Sequence, residues 1–113
     1  MHEMSLAEGI LRVAEEAAPR EGFTRVQVIR VEVGRLAGVE VEALRFCFDV
    51  VVRDSLAEGA RLDIVDSPGC GWCIDCSTEV GIDALYDPCP QCGGYRVQAT
   101  GGLEMRVVDL QVE

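Results

Sequence analysis

Cys73-Ile74-Asp75-Cys76 and Cys89-Pro90-Gln91-Cys92 carry the strongest chemical signal in the chain. Two residues between thiolates let one tight turn aim both sulfurs at a single ion. Two such turns complete the tetrahedron that zinc takes in closed structural sites. Gly93 and Gly94 follow the second pair, where a backbone of positive φ is often needed. The gap of 12 residues between the pairs is a little shorter than usual for four-cysteine zinc sites, and a short hairpin spans it. A redox reading needs only one Cys-x-x-Cys motif, at the start of a helix after a strand. Duplicate motifs in a Gly- and Pro-rich stretch favour zinc, which would then supply the folding energy of an otherwise apolar-poor module. Cys70-Gly71-Trp72-Cys73 repeats the spacing, so a first turn at 70/73 competes with 73/76. The reading adopted is 73/76, with Cys70 a spare thiol. Cys47, between Phe46 and Phe48, reads as a small core residue.

The other candidate site is the N-terminus. His2 is the only histidine, and a lone histidine in a disordered terminus ordinarily does nothing. In second position, however, it offers three nitrogens to one ion: the α-amine of Met1, the backbone amide of His2 and its imidazole. A deprotonated amide is a strong in-plane donor, which suits square-planar Ni(II) or Cu(II). Glu3 adds a carboxylate oxygen. Donors confined to three residues need little fold around them and let go when amide and imidazole are protonated. Those properties suit handover of a metal and do not suit catalysis.

The chain around these sites has 113 residues, 49% of them hydrophobic, enough for one compact domain plus a metal-stapled module. Ten basic residues stand against 20 acidic ones, for a formal charge of −10. Such a surface repels phosphate backbones and argues against nucleic-acid binding; it suits solubility, cation handling or a basic partner. No apolar run approaches the ~18 residues of a spanning helix. Glu3 and Glu8 stand where a signal peptide would carry Lys or Arg. A cytoplasmic protein with no membrane association is expected, its six cysteines serving as ligands or thiols, not as disulfides.

The positioning elements read as α+β. Ser5-Leu6-Ala7-Glu8 resembles a capping box, and Leu6, Ile10, Val13 and Ala17 recur at helical spacing behind it. The helix should reach back toward residue 3 and end by Ala18, before Pro19. A strand follows over 24–33, with a phase switch between Val28 and Ile29. A second helix is expected over 39–56, its last turns weakened by Val50-Val51-Val52. Leu62 and Ile64 mark a second strand ending at Pro68. The last strand, 103–112, switches phase as the first does, so the two are expected side by side in a small three-stranded sheet. Residues 69–100 are expected to form an inserted four-cysteine zinc-ribbon-like domain, and 1–68 with 101–113 the outer α+β domain. Trp72, Tyr86 and Tyr95 flank the cysteine turns and are expected to give that module its packing contacts.

Met1-His2-Glu3-Met4-Ser5-Leu6, Val31-Glu32-Val33-Gly34, the aromatic residue before Cys-x-x-Cys, and Cys-Pro-x-Cys-Gly occur here in one order across the chain. In this the sequence resembles the HypA family of nickel-incorporation proteins. The resemblance implies a nickel-binding domain of a small sheet and two helices with a zinc domain inserted before its last strand. It implies that His2 is the essential nickel ligand, with Glu3 and backbone nitrogens beside it, and that Cys73, Cys76, Cys89 and Cys92 hold zinc. It also implies nickel delivery to the large subunit of [NiFe]-hydrogenase, in concert with a HypB-type GTPase. Some relatives carry histidines beside the zinc cysteines and this chain has none, so a histidine-based pH switch there is not expected.

Two other classes compete. A zinc-ribbon adaptor or nucleic-acid module would need a basic face, against the charge of −10. An enzyme would need a second histidine, a Ser-His-Asp set or a phosphate-cradling loop, and only a thiol oxidoreductase survives that test. The sequence leaves open monomer or homodimer, and a hydrogenase or urease client.

Overall fold

The structure is a computed structural model and describes residues 3–113. Eight elements run in the order α1 (Glu3–Glu21), β1 (Val26–Gly34), α2 (Val41–Val51), β2 (Arg61–Ser67), β3 (Cys70–Cys73), β4 (Thr78–Gly81), β5 (Val97–Gly101) and β6 (Met105–Val112). They make two three-stranded sheets, ordered β2-β1-β6 and β4-β3-β5. The first and last long strands are neighbours, as their shared phase switch predicts. In β1 that switch is visible: Val26 and Val28 are buried, and then Ile29, Val31 and Val33.

The chain divides into two compact units. One comprises residues up to Val31 with Val39–Ile64 and Val107–Glu113. Its core is built where α1 packs on α2. The buried face of α1 is Ala7, Ile10, Ala14, Ala17 and Ala18. That face is turned by one position from the expected stripe, leaving Val13 exposed. Alanines let the helix axis approach its neighbour closely, and the larger Val13 is left at the flank. Leu44 and Phe48 meet it from α2.

Helix α1 reaches back to Glu3 as expected, which places Ser5 inside it, so the capping box does not form. Two helix ends differ from the expectation, each for a local reason. Pro19 lies within α1 instead of beyond its end. The chain runs on for another turn and stops at Gly22, whose φ of 77° breaks the helix while Gly22 and Phe23 both donate to the Ala18 carbonyl. Helix α2 ends at Val51, within the β-branched run, and the Val52 N–H closes it on the Phe48 carbonyl at 3.0 Å.

The second unit comprises Glu32–Gly38 and Val65–Arg106. Its core gathers Leu36, Val80 and Ile82 around Cys73 and Cys89, with Cys76, Val97 and Ala99 against them. A side chain at Gly34 would collide with the carbonyl of Gly102, itself at φ 75°. The glycine of the Val-Glu-Val-Gly motif is thus required where two backbones cross, and Leu36 N–H donates to the same Gly102 carbonyl at 2.8 Å.

Candidate metal centre

The β3–β4 hairpin makes the first sulfur pair. Cys73 ends β3 opposite Thr78, the first residue of β4. The Ser77 N–H closes the turn on the Cys73 carbonyl at 2.8 Å, with Ser77 at φ 53°. The second pair is built the same way. Gly93 N–H donates to the Cys89 carbonyl at 2.8 Å, with Gly93 at φ 73°. The Cys89 N–H in turn donates to the Gly94 carbonyl at 2.7 Å. Each turn needs a left-handed residue just after its second cysteine, supplied once by glycine and once by serine.

The two turns bring Cys73, Cys76, Cys89 and Cys92 together, their sulfurs all within 4.8 Å of one another. Among the described residues this is the one cluster of metal-ligating groups. Cys73 and Cys92 sulfurs are 3.7 Å apart, and those of Cys76 and Cys89 3.9 Å. A tetrahedron with metal–sulfur bonds of about 2.3 Å has edges of about 3.8 Å, so the donor set fits a zinc-sized ion. Cys70 and Cys47 lie outside the cluster, both half-buried. Cys70 alternates with the inward Gly71 and Cys73 and so shares the outer face of the sheet with Trp72.

Hydrogen bonding to Cys92, aided by burial, pushes the Cys76 thiol up to about 12. The backbone N–H of Cys92 brings Cys89 down to about 7, against the opposing effect of burial. The group therefore gives up protons in sequence. A divalent cation must displace the remainder, and binding weakens as pH falls. Backbone N–H groups donate to the Cys73, Cys89 and Cys92 sulfurs, and Asp75, between Cys73 and Cys76, pairs with Arg96 at 3.4 Å. The arrangement can hold an ion.

The aromatic residues flanking the turns do not pack the module as expected. Tyr86 is 91% exposed, Tyr95 75% and Trp72 43%. Trp72 alternates with the inward Cys73 on β3 and so faces out. Leu36, in the turn between β1 and α2, does the packing instead.

Of the N-terminal site, Met1 and His2 lie outside the described residues. Glu3 begins α1, half-buried, and its carboxylate accepts the Glu40 N–H at 3.1 Å. Glu40 is the N-cap of α2. Sequence reasoning gave Glu3 a metal role alone and missed this tie, which no local pattern announces across 37 residues.

Residues 1–112 match the family described as hydrogenase/urease nickel incorporation, metallochaperone, hypA. The chain belongs to the HypA family. Relatives named hydrogenase maturation factor HypA include that of Azoarcus sp. (strain BH72), 61% identical over 110 residues, 97% of this chain and 96% of that one. That of Azotobacter vinelandii is 57% identical over the full length of both. The solution structure of the Ni metallochaperone HypA from Helicobacter pylori superposes with a TM-score of 0.71 at 30% identity, covering 99% of this chain and 97% of that one. This HypA-family chain is thus a nickel-incorporation metallochaperone of hydrogenase maturation with a four-cysteine metal site. Among the described residues, no helix is long and apolar enough to cross a membrane.

Proposed function

We propose that this chain carries one Ni(II) at Met1, His2 and Glu3 and delivers it, in the cytoplasm, to the large subunit of a [NiFe]-hydrogenase with a HypB-type GTPase as partner. The four cysteines hold zinc as a permanent scaffold, and the protein has no catalytic step of its own. The observation that carries the reading is the match to a nickel-incorporation family over residues 1–112, in a chain whose single imidazole is His2.

The chemistry of the donors supports it. The α-amine and imidazole bind neutral, while the His2 amide and the Glu3 carboxylate each bring one negative charge. The complex with Ni(II) is then neutral. It would sit beside the first turn of α1 without the penalty that a bare cation meets at a helix N-terminus. Reprotonating the amide dismantles the chelate, which gives release without a conformational machine.

Untagged protein is expected to contain about one zinc and to take up about one Ni(II). His2→Ala should abolish nickel uptake and keep the zinc. Nickel binding by His2→Ala equal to that of the parent would refute the N-terminal site.

A further inference from the structure

Three of the four cluster sulfurs accept a backbone N–H, and one does not. Cys73 Sγ accepts from Cys76, Cys89 Sγ from Gln91 and Cys92 Sγ from Gly94, each at 3.4 Å. Among the described residues, no backbone N–H donates to Cys76 Sγ, whose polar neighbours are the other thiols, Cys89 at 3.9 Å. The two turns differ at the residue two places past their second cysteine. In the second turn that residue is Gly94, outside any strand, and it donates to Cys92. In the first it is Thr78, which opens β4 in register with Cys73. The hairpin that closes the first turn thus leaves Cys76 without the donor that its counterpart has.

An accepted N–H draws electron density from a metal-bound thiolate, and a less basic thiolate is a weaker nucleophile. Access ranks the sulfurs differently: Cys92 is exposed, Cys76 half-buried, and Cys73 and Cys89 are buried. Burial removes Cys73 and Cys89 from either ranking. Between the remaining two, exposure favours Cys92 and hydrogen bonding favours Cys76. A small electrophile needs only one line of approach, which a half-buried sulfur still offers, so the electronic difference decides.

We infer that Cys76 is the modification site of this metal centre, the sulfur at which soft carbon electrophiles attack and at which the centre opens. The inference rests on the zinc reading above. In the step, a lone pair on Cys76 Sγ forms a bond to the electrophilic carbon while the carbon–leaving-group bond breaks. With iodoacetamide, iodide departs and no proton moves. The product is a neutral thioether, a poor zinc ligand, so the zinc–Cys76 bond is lost. Cys73, Cys89 and Cys92 are left as a three-sulfur set that holds the ion more weakly, so zinc passes to a chelator as the Cys76 product forms.

The test uses the unaltered zinc-loaded chain and iodoacetamide. Initial alkylation rates are read for each cysteine by peptide mass spectrometry, while released zinc is followed with a chromogenic chelator. Cys47 and Cys70 report on their own peptides and do not interfere. One hydrogen bond's difference predicts that Cys76 reacts roughly fivefold faster than Cys92, with zinc loss tracking the Cys76 product. Cys92 reacting first, or the two at equal rates, would overturn the inference and leave the zinc reading intact. Protein purified without zinc would instead remove the reading on which it stands, and the inference with it.

Discussion

Glu3 is asked to serve two neighbours, a metal and the first turn of α2. Its carboxylate accepts the Glu40 N–H at 3.1 Å, and substitutions can separate the roles. Glu3→Gln keeps an acceptor for that N–H and removes the charge. It should melt near the parent temperature while binding nickel more weakly. Glu3→Ala loses both and should also lower stability by about 1 kcal/mol, as other lost helix-end bonds do. Nickel titrations beside thermal melts decide it; equal nickel affinity in Glu3→Gln would confine Glu3 to α2. Met1 has a test of its own. The sequence contains no lysine, so in protein beginning at Met1 an amine-selective acetylating reagent meets only the α-amine. Acetylated protein should keep its zinc and bind nickel more weakly. The four sulfurs were legible at this scale because two-residue spacing encodes the turn that aims them. The tie from Glu3 to Glu40 was not, because it joins two helices far apart in sequence.

Among the elements, the β3–β4 hairpin and the turn after β1 carry the metal module. Cys73→Ser should lose zinc and unfold the small sheet, whereas Cys70→Ser should do neither, by metal analysis and amide hydrogen exchange. Retained zinc in the first, or lost zinc in the second, would contradict the cluster as described. Leu36 is buried among Cys73, Val80, Ile82 and Cys89. Leu36→Ala should therefore destabilise the metal-bearing unit by about 2–5 kcal/mol in denaturant melts; an unchanged melt would deny it that place. The alternation in β1 and β6 was readable, and it predicted their adjacency. Leu36 was not readable, because one apolar residue in a glycine-flanked turn has no periodicity to betray it. Pro19 misled for a related reason. Only the preceding residue's preference argued for a stop, while Gly22 one turn later supplied the actual one. The flanking aromatics were judged by type, but strand alternation turned Trp72 outward.

Over the whole molecule, both helices belong to the first compact unit and all four clustered cysteines to the second. Removing zinc with a strong chelator should collapse resonance dispersion for the β3–β5 sheet while the helical far-ultraviolet signal largely persists. Loss of the helical signal in step with zinc would show that the metal supports both units. Two ions of different chemistry are expected on one chain, and X-ray absorption at the nickel and zinc edges of doubly loaded, untagged protein tests that most directly. The zinc edge should report four sulfur neighbours at about 2.3 Å, and the nickel edge nitrogen and oxygen neighbours with an imidazole contribution. Sulfur in the nickel shell, with no imidazole, would contradict it.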